Sequence, residues 1–184
     1  MCAAHKTSAL AGVALAAAVL SGCAPDPAPA AQEAAPSQSA AVAWMNGFCG
    51  AVKDFIDGNN KMSSASGETL EAVKKSTSDQ LGHYAAILAE TVDGLGALPA
   101  APVPAGDAAK REFLAKYTSA RDKTVKAKAA LDAAGANDTA AQSRAVEGLL
   151  AAQKDTHGAL DPVAAVLGAP ELKTAAASAE RCRP

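Results

Sequence analysis

The chain has 184 residues, of which 50 are alanine, 20% are charged and 3% are aromatic, and its formal net charge is −2. That length suits one domain, and alanine this dense favours helix while the β-branched and aromatic residues of strands are scarce, which excludes a β-sandwich or a doubly wound sheet. The slightly acidic balance argues against a dedicated nucleic-acid binder, whose surface is strongly basic.

Residues 1–8 carry one charge, Lys6, and no acid, and Ala9 to Leu20 is an unbroken small and apolar run. Twelve residues of helix rise about 18 Å, too short for a hydrocarbon core of about 30 Å. A basic start, a short apolar run and small residues describe a secretory signal rather than a membrane span. Leu20-Ser21-Gly22-Cys23 follows at once and resembles a bacterial lipobox. The resemblance implies cleavage before Cys23 and attachment of diacylglycerol to its sulfur; the alternative is ordinary signal cleavage after Ala28-Pro29-Ala30, which would discard Cys23. On the first reading residues 1–22 are a lipoprotein signal peptide, and the acyl chains make a stable membrane anchor. Residues 23–38 then form a tether, because four prolines and no large apolar side chain leave too little surface to offset the entropy of ordering. Residues 39–184 remain to fold.

Cys2 leaves with the signal and Cys23 with the lipid, so Cys49 and Cys182 are left in a compartment that permits disulfides. Val42, Met45, Cys49, Val52 and Ile56 recur on one helix face, as do Leu172, Ala175, Ala179 and Cys182. Both thiols therefore point inward, and a Cys49–Cys182 bridge is expected. Two buried free thiols or a redox pair are the alternatives, the latter lacking a Cys-x-x-Cys spacing.

In chain order, a first helix is expected from Ser39 to Asp57 and a second from Glu68 to Leu95, with Leu70, Val73, Thr77, Leu81, Tyr84, Leu88, Thr91 and Leu95 inward. The prolines of Leu98 to Pro104 cannot continue a helix. Asp107 is placed to cap a third helix running to Ala134. Thr139 and Gln142 have capping-box spacing for a fourth, whose stripe of Val146, Leu149, Gln153, Thr156, Leu160, Val163 and Leu167 keeps phase through a kink or brief break at Asp161-Pro162, with no change of direction expected. Pro170 suits the first turn of a last helix to Arg181. These elements describe an all-α protein: an up-and-down four-helix bundle with a short extra C-terminal helix, bridged back to the first helix. With the lipobox, the Pro/Ala tether, Trp44 to Cys49 (WMNGFC) and the terminal cysteine, the chain resembles the small, Ala-rich, helical secreted lipoproteins of actinobacteria. The resemblance implies fold and location and carries no functional residue across.

Chemistry is harder to find. Neither His83 nor His157 has the Glu-x-x-His spacing of a di-iron bundle; Asp79 with His83 and His157 with Asp161 share helix faces and are the candidate metal pairs, read in the first instance as surface pairs. No Gly-x-Ser-x-Gly, His-Glu-x-x-His or Cys-x-x-Cys appears, and no cofactor motif, so no catalytic residue is named. From Asp107 to Lys128 seven basic residues face three acids, and Lys116, Lys123 and Lys126 are the candidate contacts to an anionic lipid or envelope polyanion; a solvated face held by local ion pairs is the alternative. Trp44, Tyr84 and Tyr117 are candidates to line an apolar ligand groove, or core. The leading reading is a non-catalytic, lipid-anchored module on the extracytoplasmic face of the cell membrane, bound there by its anchor and acting on an envelope protein or polyanion, with no nucleic-acid partner; a carrier of a small hydrophobic ligand or metal ion is second.

Overall fold

The computed structural model describes residues 37–183. These belong to one compact unit; the expected signal peptide, Cys23 and most of the expected tether lie outside the described residues. Helices α1 (Gln38–Asn60), α2 (Leu70–Ala97), α3 (Pro104–Ala133), α4 (Thr139–His157) and α5 (Pro170–Ser178) make up the body, with no strand among the described residues. The all-α, bundle-type expectation holds.

Each start is fixed locally. Ser37 accepts from the Ala40 N–H at the head of α1, and Thr69 from the Ala72 N–H at the head of α2. The third helix starts earlier than Asp107 would place it, because Pro104 supplies a backbone already set for a first turn. Asp107 instead accepts from the Ala101 N–H at 2.9 Å and ties the preceding loop to that turn. Asp138, not Thr139, caps α4 through the Ala141 N–H at 2.8 Å, and the Gln142 amide donates to the carbonyls of Leu70 and Ala136 rather than closing a capping box.

Along the chain, α2 packs on α3, α3 on α4, and α1 on both α2 and α5. α1 pairs with the C-terminal half of α2: a Cβ on Gly47 would lie 2.5 Å from the Leu98 side chain and one on Gly58 2.9 Å from the Ile87 side chain, so these side chains fill the space the two glycines leave. α4 sits beside the N-terminal half of α2, where Gln142 reaches Leu70 and Thr156 meets Tyr84. Tyr84 therefore stands at the junction of the two halves, its ring 5.9 Å from Phe55 and its hydroxyl 3.1 Å from the Thr156 hydroxyl. Tyr117 stacks edge-on to Phe55 at 5.0 Å and donates to the Ala159 carbonyl. All six aromatic side chains of the protein, Trp44 included, are buried in this core. Trp44, Tyr84 and Tyr117 therefore line no groove, a correction of the alternative open in the sequence.

The stripe expected on α4 is corrected too. Leu149 and Thr156 of that stripe are buried as expected, but Val146 is 47% exposed, and Ala141, Ala145 and Ala152 complete the inward face. The cause is proximity: a Cβ on Gly148 would lie 2.7 Å from the Ala127 methyl, and a β-branched side chain on that seam would force the helices apart. Of the kink or brief break expected at Asp161-Pro162, the break is what forms, and the helix does not resume through Leu167. Helix α4 ends at His157, Asp161 accepts from the Ala164 N–H, and a 3₁₀ turn at Ala164–Val166 leads into α5. Leu160 and Leu167 are left at the surface while Val166 is buried. The last helix also stops short of Arg181, giving way to a 3₁₀ turn at Glu180–Cys182.

The predicted bridge is present. Cys49 and Cys182 form a disulfide with Cα atoms 5.0 Å apart, joining segments 133 residues apart in sequence. Arg181 reinforces the junction: its N–H donates to the Asn46 side chain, and its guanidinium donates to the Gly50 carbonyl and pairs with Asp54.

Candidate functional site

Most of the basic excess on α3 is consumed within the fold. Lys110 donates to the carbonyls of Leu98 and Pro99. Lys116 pairs with Glu112 at 2.7 Å and donates to the Gly158 carbonyl at 2.8 Å, closing the end of α4. Arg121 pairs with Asp122, and Lys128 with Asp132. Lys123 meets Asp155 of α4 at 2.5 Å, and Ser119 donates to the same carboxylate oxygen. Hydrogen bonds from Lys123 and Ser119, in that order, hold the Asp155 carboxyl below its ordinary range, and those from Lys128 and Ser78 do the same for Asp132. Lys126 is exposed and makes no ion pair among the described residues.

Of the three lysines singled out in the sequence, Lys123 and Lys126 come together and Lys116 goes elsewhere. They share one rim of a groove of about 350 Å³ between α3 and α4. The opposite rim is Arg144, exposed on α4 and also without an ion pair among the described residues. The floor consists of Ala127, Ala130, Ala141, Ala145, Gly148 and Ala151. This groove follows from the seam: alanine and glycine let the helices close, and their methyls are too small to fill the outer edge of the cleft. Arg144 was missed in the sequence reading. The signal was there in the small residues at 141, 145 and 148, one helical face with Arg144 on its flank, but their partner face on α3 is a tertiary fact.

The histidine pairs are not assembled. His83 and His157 are exposed, Asp79 pairs with Lys75 at 2.6 Å, and Asp161 is taken by the Ala164 N–H. Among the described residues no cluster of three or more His, Cys, Asp or Glu could hold a metal. A second groove, of about 510 Å³ between α1 and α2, is lined by the small residues of that seam and by Asp54, Glu90 and Arg181; its cation is already engaged by Asp54 and Gly50. No described helix is long and apolar enough to cross a membrane.

Set against known protein families, curated proteins and solved structures, the chain matches none.

Proposed function

We propose that this protein is a lipid-anchored, non-catalytic helical module that works on the extracytoplasmic face of a bacterial cell membrane by binding a component of the envelope. The observation that carries the reading is the Cys49–Cys182 disulfide. Such a bridge persists in oxidising compartments and is rare in the cytosol, which supports export. Export in turn gives meaning to the apolar run Ala9 to Leu20 and the lipobox ending at Cys23. Acyl chains on Cys23 make the association with the membrane stable, and the proline-rich segment behind it suits a spacer. The α3/α4 groove, with two cations not used by the fold, is the surface best suited to contact a partner.

Mass spectrometry of the mature N-terminus, with membrane fractionation, tests the anchor. The expected result is a peptide beginning at acylated Cys23 in the membrane fraction, and Cys23→Ala protein that no longer sediments with membranes. An unmodified N-terminus beyond Cys23 would overturn the reading, as would native protein carrying free thiols at Cys49 and Cys182.

A further inference from the structure

We propose that the groove between α3 and α4 takes a single-chain anionic amphiphile, with the acyl chain on the alanine floor and the head group held by Lys126 and Arg144. This deepens the envelope-binding reading by naming the class of ligand, and it can fail or stand independently of the anchor.

Three features of the groove select that chemistry. The floor is hydrocarbon: methyls of Ala127, Ala130, Ala141, Ala145 and Ala151 with the bare backbone of Gly148. Ala130 and Ala151 are exposed, so a slim chain laid along them removes apolar surface from water on both sides. Each methylene so covered strengthens binding about fourfold. From Ala141 to Ala151 the floor runs about 15 Å at the helical rise per residue, the reach of an extended chain of medium length.

The rim is positive. Lys123 is held toward Asp155, so its charge is already balanced, whereas Lys126 and Arg144 have no ion pair among the described residues. The acids within four residues of either cation do not replace a ligand: Asp122, four residues before Lys126, is paired with Arg121, and Glu147, three after Arg144, is not among the residues lining the groove. A carboxylate or phosphate head group between Lys126 and Arg144 would neutralise both, and Arg144 offers a planar fork of donors for it.

The shape is concave and small. At about 350 Å³ the groove lies at the low end of small-molecule sites, too small to seat a folded partner, whose interface needs about 1,000 Å² or more. A flat bilayer surface cannot enter a cleft between two helices, while one chain can.

Dodecanoate, added below its micellar threshold to the full-length protein, tests the proposal. Titration calorimetry should show one equivalent bound, and a diazirine-bearing dodecanoate should label peptides spanning 123–130 and 141–151. The K126E/R144E variant should bind dodecanoate at least tenfold more weakly and gain affinity for dodecyltrimethylammonium. A130F/A151F, which fills the groove from two exposed positions, should lose dodecanoate with an unchanged circular dichroism spectrum. Labelling elsewhere in the chain would overturn the proposal, as would equal affinity for the anionic and cationic amphiphiles. Affinity indifferent to both double variants would do the same. So would binding to phosphatidylglycerol vesicles without binding of monomeric dodecanoate, which would mark a membrane-contact face, and self-association through this groove in the absence of ligand. Loss of dodecanoate binding in a protein still acylated at Cys23 would reject the groove and leave the anchor standing.

Discussion

Removing the Cys49–Cys182 bridge should lower the melting temperature by about 10–20 °C without dissolving the fold. The two cysteines are 133 residues apart, and closing a loop of that size restricts the unfolded chain by about 5 kcal/mol in the loop-entropy description. For a body of about 150 residues each kcal/mol shifts the midpoint by about 2–4 °C. The folded side should change little. Leu172, Ala175, Ala176 and Ala179 are buried in the core, and Arg181 is separately attached to Asn46, Gly50 and Asp54. Thermal and urea unfolding of C49A/C182A beside the oxidised protein provides the measurement, with native-state hydrogen exchange read along α5. A drop of less than about 3 °C would refute the reasoning, because it would mean that the unfolded chain already holds its ends together. Fast exchange throughout α5 in the variant would also refute it, since the bridge would then be holding that helix in place.

The glycines give a paired test: Gly148→Ala should destabilise by about 1 kcal/mol, crowding at Ala127 outweighing the gain in helix propensity, whereas Gly96→Ala, whose Cβ meets nothing within 4 Å, should stabilise by up to about 0.5 kcal/mol in the same urea titration. Tyr117→Phe leaves the buried Ala159 carbonyl without its donor and should cost about 1–2 kcal/mol at neutral pH. Burial raises the Tyr117 phenol well above its ordinary 10.0, so the unfolded chain ionises first; wild-type stability should fall as pH climbs past 10, and the Phe variant should show a shallower alkaline decline in a pH series of melts. The Asp155 carboxyl is displaced the other way, downward from 3.8 by its hydrogen bonds to Lys123 and Ser119. Its contribution, no more than about 1 kcal/mol for a partly exposed pair, is complete above that value and disappears as pH falls through the folded one, so Asp155→Asn should flatten the acid limb of the same series.

Periodicity made much of α1, α2 and α3 legible. Leu81, Tyr84, Leu88, Thr91 and Leu95 recur at three and four and are all buried, as are Phe113, Tyr117, Ala120 and Thr124 on the next helix. On α4 the same rule misled, because it favours bulk. Val146, Leu160 and Leu167 are exposed, and although Leu149 and Thr156 of the expected stripe are buried, alanines at 141, 145 and 152 complete the face that packs. A hydrophobicity pattern records what a side chain prefers, and cannot record how close the neighbouring helix comes. Lys116, Lys123 and Lys126 illustrate the same limit at the surface: the excess of positive charge was readable, and so was the local pair of Lys116 with Glu112, but the allocation of Lys116 to Gly158 and of Lys123 to Asp155 depends on residues far along the chain.

The sequence by itself determined that the body is helical and broken at its proline-rich loop, and it made Cys49 and Cys182 the pair to expect, because propensity and cysteine number are local or countable properties. Tertiary structure alone decided that α1 and α4 lie against opposite halves of α2, that the aromatic side chains are spent on the core, and that Lys126 and Arg144 line one alanine-floored groove. Those outcomes rest on distances between helices, which are set by how small residues such as Gly148 and Ala127 let two backbones approach, and no single segment carries that information.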